Sequence, residues 1–305
     1  VAAADIASYS YVFAKTWIEL DGNQNPSELE QALAELNSLD GEAGYFTEQF
    51  CSQARYFQPA NGAKIDAIRN RIETDYKSTW MYYPLLTALI LAADRVDSTT
   101  GIQMAFLKQW AARSFKSLEL RDPELIQGSG SAWQGDALAL TSELPEVDLA
   151  YLDPPYNQHR YFTNYHIWET LVRWDAPESY GIARKRIDSR DAETKSPFNS
   201  KKTMPDALET LVGAVKAETL ILSYNDESWL SREDLIEICR CKGEVALVEF
   251  DFKRYVGSQI GIYNKRGERV GTPGRPRNRE WMLIAGERDR VRKMAATQTQ
   301  SITFA

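Results

Sequence analysis

Two kinds of hydrophobic spacing divide the chain. Across 22–127, apolar residues recur at helical intervals: Leu29, Leu33, Leu36 and Leu39 within 26–39, then Ile65, Ile68 and Ile72 within 63–76. The run 82–96 is apolar on all sides and predicts a buried helix. Phe106, Leu107, Trp110 and Phe115 carry the helical reading through 101–118, and 10–20 predicts one more helix ahead of this block. Elsewhere the apolar residues form short runs, at 1–5, 131–134, 147–152, 219–224, 245–252 and 280–285. These predict strands, the first of them buried and ending in an acid. Ser231, with Asp234 three residues on, marks the start of a helix over 231–241. Strands alternating with helices predict an α/β fold with a mostly parallel sheet, interrupted by the helical stretch 22–127.

Composition narrows the class. The 305 residues are 43% hydrophobic and 26% charged, a globular profile, and no apolar run is long enough to span a membrane. Three cysteines, Cys51, Cys239 and Cys241, and only two histidines predict reduced thiols, a cytoplasmic protein and no metal site. The net charge of −7 speaks against a nucleic-acid partner, but the charge is unevenly spread. Basic residues crowd 184–202 and again 253–279, where Glu268 is the sole acid. Such runs are either solvated loops or phosphate-contacting faces.

The sharpest chemical signal is Asp153-Pro154-Pro155-Tyr156, directly after the predicted strand 147–152. Ligands of open α/β sheets bind beyond the carboxyl ends of strands, so a site is expected there. A plain turn would use the same residues. Consecutive prolines fix φ and remove backbone donors, leaving carbonyls presented from a stiff frame.

These residues resemble the catalytic loop of Dam-like adenine-N6 DNA methyltransferases, including those of type II restriction–modification systems. Further segments fit the resemblance: Ala4-Asp5-Ile6, Gly135-Asp136-Ala137, Phe162-Thr163-Asn164-Tyr165-His166, Leu220 to Asn225, Lys253-Arg254-Tyr255 and Arg279 to Leu283. It covers about 1–20 and 131–285 and places the rest by order alone. It implies a Rossmann-like methyltransferase sheet, with 1–21 and 128–305 as catalytic domain and 22–127 as a mostly helical target-recognition insert. The donor would be S-adenosylmethionine and the partner double-stranded DNA. A cognate restriction endonuclease would act separately.

The resemblance also assigns roles. Asp153 and the Pro154 carbonyl would accept the two hydrogens of the adenine amine, and Tyr156 would offer a stacking face. The base must leave the duplex to reach them. Asp5, with Ile6, would hold the cofactor ribose, and Asp136, with Ala137, the cofactor adenine; Asp153 would border the cofactor too. Alternatively, Asp5 is a helix cap and Asp136 a turn residue. Tyr161, Phe162, Lys201, Lys202, Lys253, Arg254, Tyr255, Lys265 and Arg266 would contact DNA, with Phe252 a second stacking candidate. His166 is either part of the site or a core histidine, and Trp168 is core.

One family feature is missing: no Phe-x-Gly-x-Gly loop precedes Asp5, and Gly128-Ser129-Gly130 follows no clear strand. Met294 to Ala305 reads like a protein's beginning, which suggests a circularly permuted order. Residues 301–305 are then expected as a central parallel strand beside 1–4 and 149–152. The alternatives to the leading function are an RNA exocyclic-amine methyltransferase and a DNA-binding module without catalysis.

Overall fold

The computed structural model describes residues 1–253, 262–263, 269–271, 277–297 and 301–304. The chain opens with β1 (Ala2–Asp5), α1 (Ser8–Ala14), α2 (Pro26–Ser38), α3 (Tyr45–Thr47), α4 (Pro59–Arg71) and α5 (Tyr82–Asp94). It continues with β2 (Ser131–Gln134), α6 (Ala137–Leu140), β3 (Val147–Leu152), α7 (Tyr161–Asn164), α8 (His166–Arg173), β4 (Ser179–Tyr180) and β5 (Lys185–Arg186). Then come α9 (Met204–Ala214), β6 (Ala217–Asn225), α10 (Arg232–Cys239), β7 (Glu244–Lys253), β8 (Ile262–Tyr263) and β9 (Arg269–Gly271). The last elements are β10 (Arg277–Gly286), α11 (Arg288–Ala296) and β11 (Ser301–Phe304). They form two compact units: Val1–Asp136 with Tyr161–Thr194, and Ala137–Arg160 with Lys195–Ala305.

The first unit is a helical core with a small sheet. The helical intervals read from the sequence become buried faces: Leu29, Leu33 and Leu36 on α2, Ile65 and Ile68 on α4, and nearly all of α5. Pro26 at the first position and the Asn25 side chain, accepting from Ser27 N, start α2. Residues 101–118 do not form the expected helix; only Ala112–Phe115 makes a 3-10 turn. Polar groups take the backbone elsewhere. Ser98 N donates to Tyr56 O, Gln103 N to Asn164 O and Leu107 N to Ser98 O, while Arg113 is paired with Asp97. Once these amides are satisfied by distant partners, helix formation would leave them worse off. β1 and β2 pair in parallel, from Ala2↔Ser131 to Asp5↔Gln134. β1 is not the buried strand expected: Ala4 and Asp5 are exposed, because this sheet has two strands and α1 packs against only part of it.

The second unit is a five-stranded sheet in the order β11-β7-β10-β6-β3. It is mixed, not mostly parallel: only β3 and β6 run parallel, and β6, β10, β7 and β11 alternate in direction. The connection from β3 to β6 includes helix α9, and a crossover is what parallel neighbours require. β3 is an edge strand in this sheet, not a central one, and Leu149 and Tyr151 are 47% and 58% exposed. The α9–α10 face buries Leu208, Leu211, Leu220, Leu222, Leu235 and Leu283, and α11 covers the other face through Val291 and Ala295. The Ser231 capping box starts α10 as its sequence predicts.

The permutation expectation fails here. Residues 301–304 pair antiparallel with β7, from Ser301↔Glu249 to Phe304↔Ala246, at the sheet edge opposite β3. Met294 lies within α11, which Glu287 caps by accepting from Asp289 N and Arg290 N. A helix that returns the chain along the open edge of β7 pairs backbone groups that would otherwise stay unsatisfied.

Candidate active site

Asp153 is placed by the β3–β6 register. Leu152 lies opposite Leu222, so the next step sets Asp153 level with Ser223. Pro154 is buried, Pro155 and Tyr156 are half-buried, and Asp153 is exposed. The chain then turns back on itself. The Tyr156 hydroxyl donates to Asp153 Oδ1 at 2.5 Å and lies 2.9 Å from Ser223 Oγ. Burial first, and the Asp153 carboxylate second, raise the Tyr156 pKa well above the ordinary phenol value, so the hydroxyl keeps its proton and stays a donor. One Asp153 oxygen is thereby oriented, and the other is directed by it. The Tyr156 ring lies tilted against Tyr224, with centroids 4.8 Å apart.

Beyond the loop, Asn199 Nδ2 donates to Asn157 O at 2.9 Å and to His159 O at 3.2 Å. Asn199 is held in a short turn started by Ser196 and anchored by buried Phe198. On β10, half-buried Glu280 accepts from Asn278 Nδ2 at 2.9 Å. Burial raises its pKa, the Asn278 and Asn225 hydrogen bonds oppose this, and the Asp153 and Asp226 charges add to the rise. Ser223, Asn199 and Glu280 had no assigned role in the sequence. Ser223 and Glu280 lie in the strands at 219–224 and 280–285, but nothing in an alternating strand says which hydroxyl or acid reaches the loop.

The candidate cofactor acids belong to the first unit. Asp5 ends β1, and its Oδ1 accepts from Ala7 N at 2.8 Å, so it does make a local turn bond. Its backbone O accepts from Gly135 N at 3.0 Å. This tie sets Asp136 just past the carboxyl end of β2, beside Asp5. Ile6 is half-exposed next to them. Ala137 falls in the second unit, where it packs on the α9–α10 face. Gly130 has a purely local role. A Cβ there would lie 2.3 Å from Val1 O, so only glycine lets the chain pass under β1.

The proposed DNA-contact residues are scattered. Tyr161 is 51% exposed and its ring stacks on Tyr165, whereas Phe162 is half-buried beneath the guanidiniums of Arg173 and Arg186. Lys201 and Lys202 are exposed. Lys253 ends β7 opposite Arg277; Arg254, Tyr255, Lys265 and Arg266 lie outside the described residues. Phe252 is exposed. Much of the 184–202 charge is used internally. Arg186 is 2% exposed and paired with Asp175 and Asp188, Arg184 donates to Gln49, and Arg190 lies over Tyr180. His166 is a core residue with Nε2 3.0 Å from Gln103 O, and Trp168 is core as expected. Among the described residues no group of three or more His, Cys, Asp or Glu side chains could hold a metal ion.

A family model described as D12 class N6 adenine-specific DNA methyltransferase matches residues 1–238. The chain is 32% identical over 275 residues to Modification methylase StsI of Streptococcus sanguinis, covering 84% of this chain and 42% of that protein. It is 33% identical over 267 residues to Type II methyltransferase M.NlaIII of Neisseria lactamica, covering 84% of this chain and 77% of that protein. It is 28% identical over 261 residues to Type II methyltransferase M.FokI of Planomicrobium okeanokoites, covering 80% and 40%. The chain thus spans less than half the length of two of these three relatives. No solved structure matches it.

Proposed function

The chain belongs to the D12 class of N6 adenine-specific DNA methyltransferases, and we propose that it methylates the N6 amine of adenine at a specific DNA site. The observation that carries this reading is the Tyr156–Asp153 hydrogen bond on the loop after β3. S-adenosylmethionine supplies an electrophilic methyl group on a sulfonium.

An adenine amine is a poor nucleophile because its lone pair is conjugated with the ring. Asp153 accepts one amine hydrogen and the Pro154 carbonyl accepts the other. Together they draw the nitrogen towards a tetrahedral geometry and free the lone pair. Tyr156 fixes the carboxylate in this role before the base arrives, which is where preorganised hydrogen bonds act most strongly. Held by Asp5 and Asp136, S-adenosylmethionine would supply the methyl group, and the N6 nitrogen, acidified on methylation, would release its proton to solvent while Asp153 and the Pro154 carbonyl hold it in place. The base is flipped out of the duplex to reach the loop.

The residues present fit the donor. Asp5 and Asp136 stand at the carboxyl ends of a parallel strand pair, tied together by the Gly135–Asp5 hydrogen bond. Two carboxylates are acceptors for ribose hydroxyls and an adenine amine, and Ile6 supplies an apolar neighbour. The two parallel pairs, β1–β2 and β3–β6, each followed by an acid, support a Rossmann-like ancestry for the catalytic domain at 1–21 and 128–305. In this reading 22–127 helps recognise the target, Lys201, Lys202 and Lys253 contact phosphates, and the protein works in the cytoplasm beside a separate endonuclease.

The test is methylation of plasmid DNA mapped at single-base resolution, with Asp153→Ala as control. A methyl mark on adenine within one recurring sequence, absent with the control, is expected. A mark on another base, or an equal mark with the control, overturns the proposal.

A further inference from the structure

Helix α1 begins three residues after the candidate donor acid Asp5, whose Oδ1 accepts from Ala7 N, but no local side chain accepts from its first helical amide, Ser8 N. The N-cap position is Ala7, which has no side chain able to accept a hydrogen bond. The missing acceptor comes from 161 residues away: Glu169 Oε1 accepts from Ser8 N at 2.7 Å. Glu169 is fully buried, and its carboxyl pKa is raised by burial against the opposing pull of Arg173 and Ser8. A buried carboxylate is costly, and an apolar side chain in its place would cost less. Stability alone therefore does not account for it.

The same acid anchors a wider bracket. Arg173 Nε lies 3.1 Å from Glu169 Oε2 and also donates to Ser8 Oγ at 3.1 Å. Gln134 Nε2 donates to Ser8 Oγ at 3.0 Å. Arg173 is steadied in turn by Asp188 at 3.6 Å and by the ring of Phe162. Ser8 stands three residues after Asp5, and Gln134 two residues before Asp136. One cluster centred on buried Glu169 and Ser8 thus grips the chain close to each candidate donor acid.

We propose that Glu169 is a positioning residue for the methyl donor. By accepting from Ser8 N it caps α1 from a distance, leaving Asp5 its single local bond to Ala7 N, and through Ser8 and Gln134 it fixes the spacing of Asp5 and Asp136. The inference rests on the reading of Asp5 and Asp136 as donor ligands.

The test is calorimetric titration of S-adenosylmethionine into the purified full chain without DNA, with thermal melting recorded for every variant. Asp5→Ala tests the reading itself. Glu169→Ala is expected to weaken donor binding about tenfold, the scale of one lost charge-assisted hydrogen bond. Glu169→Gln keeps an acceptor for Ser8 N and is expected to restore affinity to within about threefold. A structural role alone would lower the melting temperature without this pattern of affinities. Should Glu169→Ala fail to fold, Ser8→Ala removes the hydroxyl that joins Arg173 to Gln134 without stranding a charge, and is expected to weaken binding about threefold. Wild-type affinity in Glu169→Ala, or in Ser8→Ala where the former is unfolded, overturns the positioning role while the donor site stands. Wild-type affinity in Asp5→Ala overturns the reading of the site, and this inference with it.

Discussion

Asp153 and Asp5 are both carboxylates at the end of a strand, yet the molecule holds them by different means. Asp153 stands on a loop that two prolines stiffen, and the nearest hydroxyl, Tyr156, comes from three residues away. Asp5 stands on a two-stranded sheet, and its surroundings are set by Glu169, Arg173 and Gln134, which come from distant parts of the chain. A loop can fix a group by local stiffness. A strand end in a small sheet needs buried polar anchors, because the sheet alone does not order the residues after it. In the proposed reading the acceptor half of the chemistry therefore sits in four consecutive residues, and the donor half is spread across the first unit.

That contrast can be broken by substitution. The largest effect is expected from Asp153→Ala, which should lower the single-turnover rate of methyl transfer by about 10²–10³, the cost of losing one preorganised polar group. Asp5→Ala should instead weaken S-adenosylmethionine binding by about 10- to 100-fold, read by titration, with a smaller effect on the rate at saturating donor. Tyr156→Phe leaves the ring on Tyr224 but frees Asp153, and a rate about tenfold lower is expected, equivalent to ~1.4 kcal/mol.

An effect on stability, of about the same size as the last, separates the units by pH. Burial pushes the His166 pKa down to about 3, so the folded first unit holds it neutral. The unfolded chain binds a proton below about pH 6.5, so this stability is present above that pH and is lost as the pH falls towards the folded value. From pH 6.5 to 5 the loss from this group is about 1.5 kcal/mol, because the unfolded imidazole is only half protonated at pH 6.5 and the slope reaches its full ~1.4 kcal/mol per pH unit only below that. Denaturant unfolding of the first unit, followed by amide exchange on α8, should show this loss, and His166→Gln should flatten it.

The sequence made some of this visible and hid the rest for physical reasons. Strand and helix positions were legible wherever apolar residues kept one period, as in α2, α4, β6 and β7. The stretch 101–118 has bulky apolar residues but spends its amides on Asn164 and Ser98, which no local pattern reveals. Sheet direction depended on connections: β7 and β10 run antiparallel although each reads as a buried run. Asp153 was legible because its partners are its neighbours. Glu169 was not, because an acid in the amphipathic stretch His166 to Arg173 looks solvent-facing until its partner Ser8 is placed. Charge counting failed in a similar way at Arg186, which is buried against two acids although it lies in a basic run.

The central claim is that Asp153 serves the transfer step and Asp5 serves the donor. The most direct measurement compares donor affinity, by titration, with single-turnover rate, by methyl incorporation, in Asp153→Ala and Asp5→Ala. The account predicts crossed effects: the first variant loses rate far more than affinity, within about fivefold for the latter, and the second loses affinity far more than rate. Equal losses of both quantities in both variants, or wild-type donor affinity in Asp5→Ala, would contradict it.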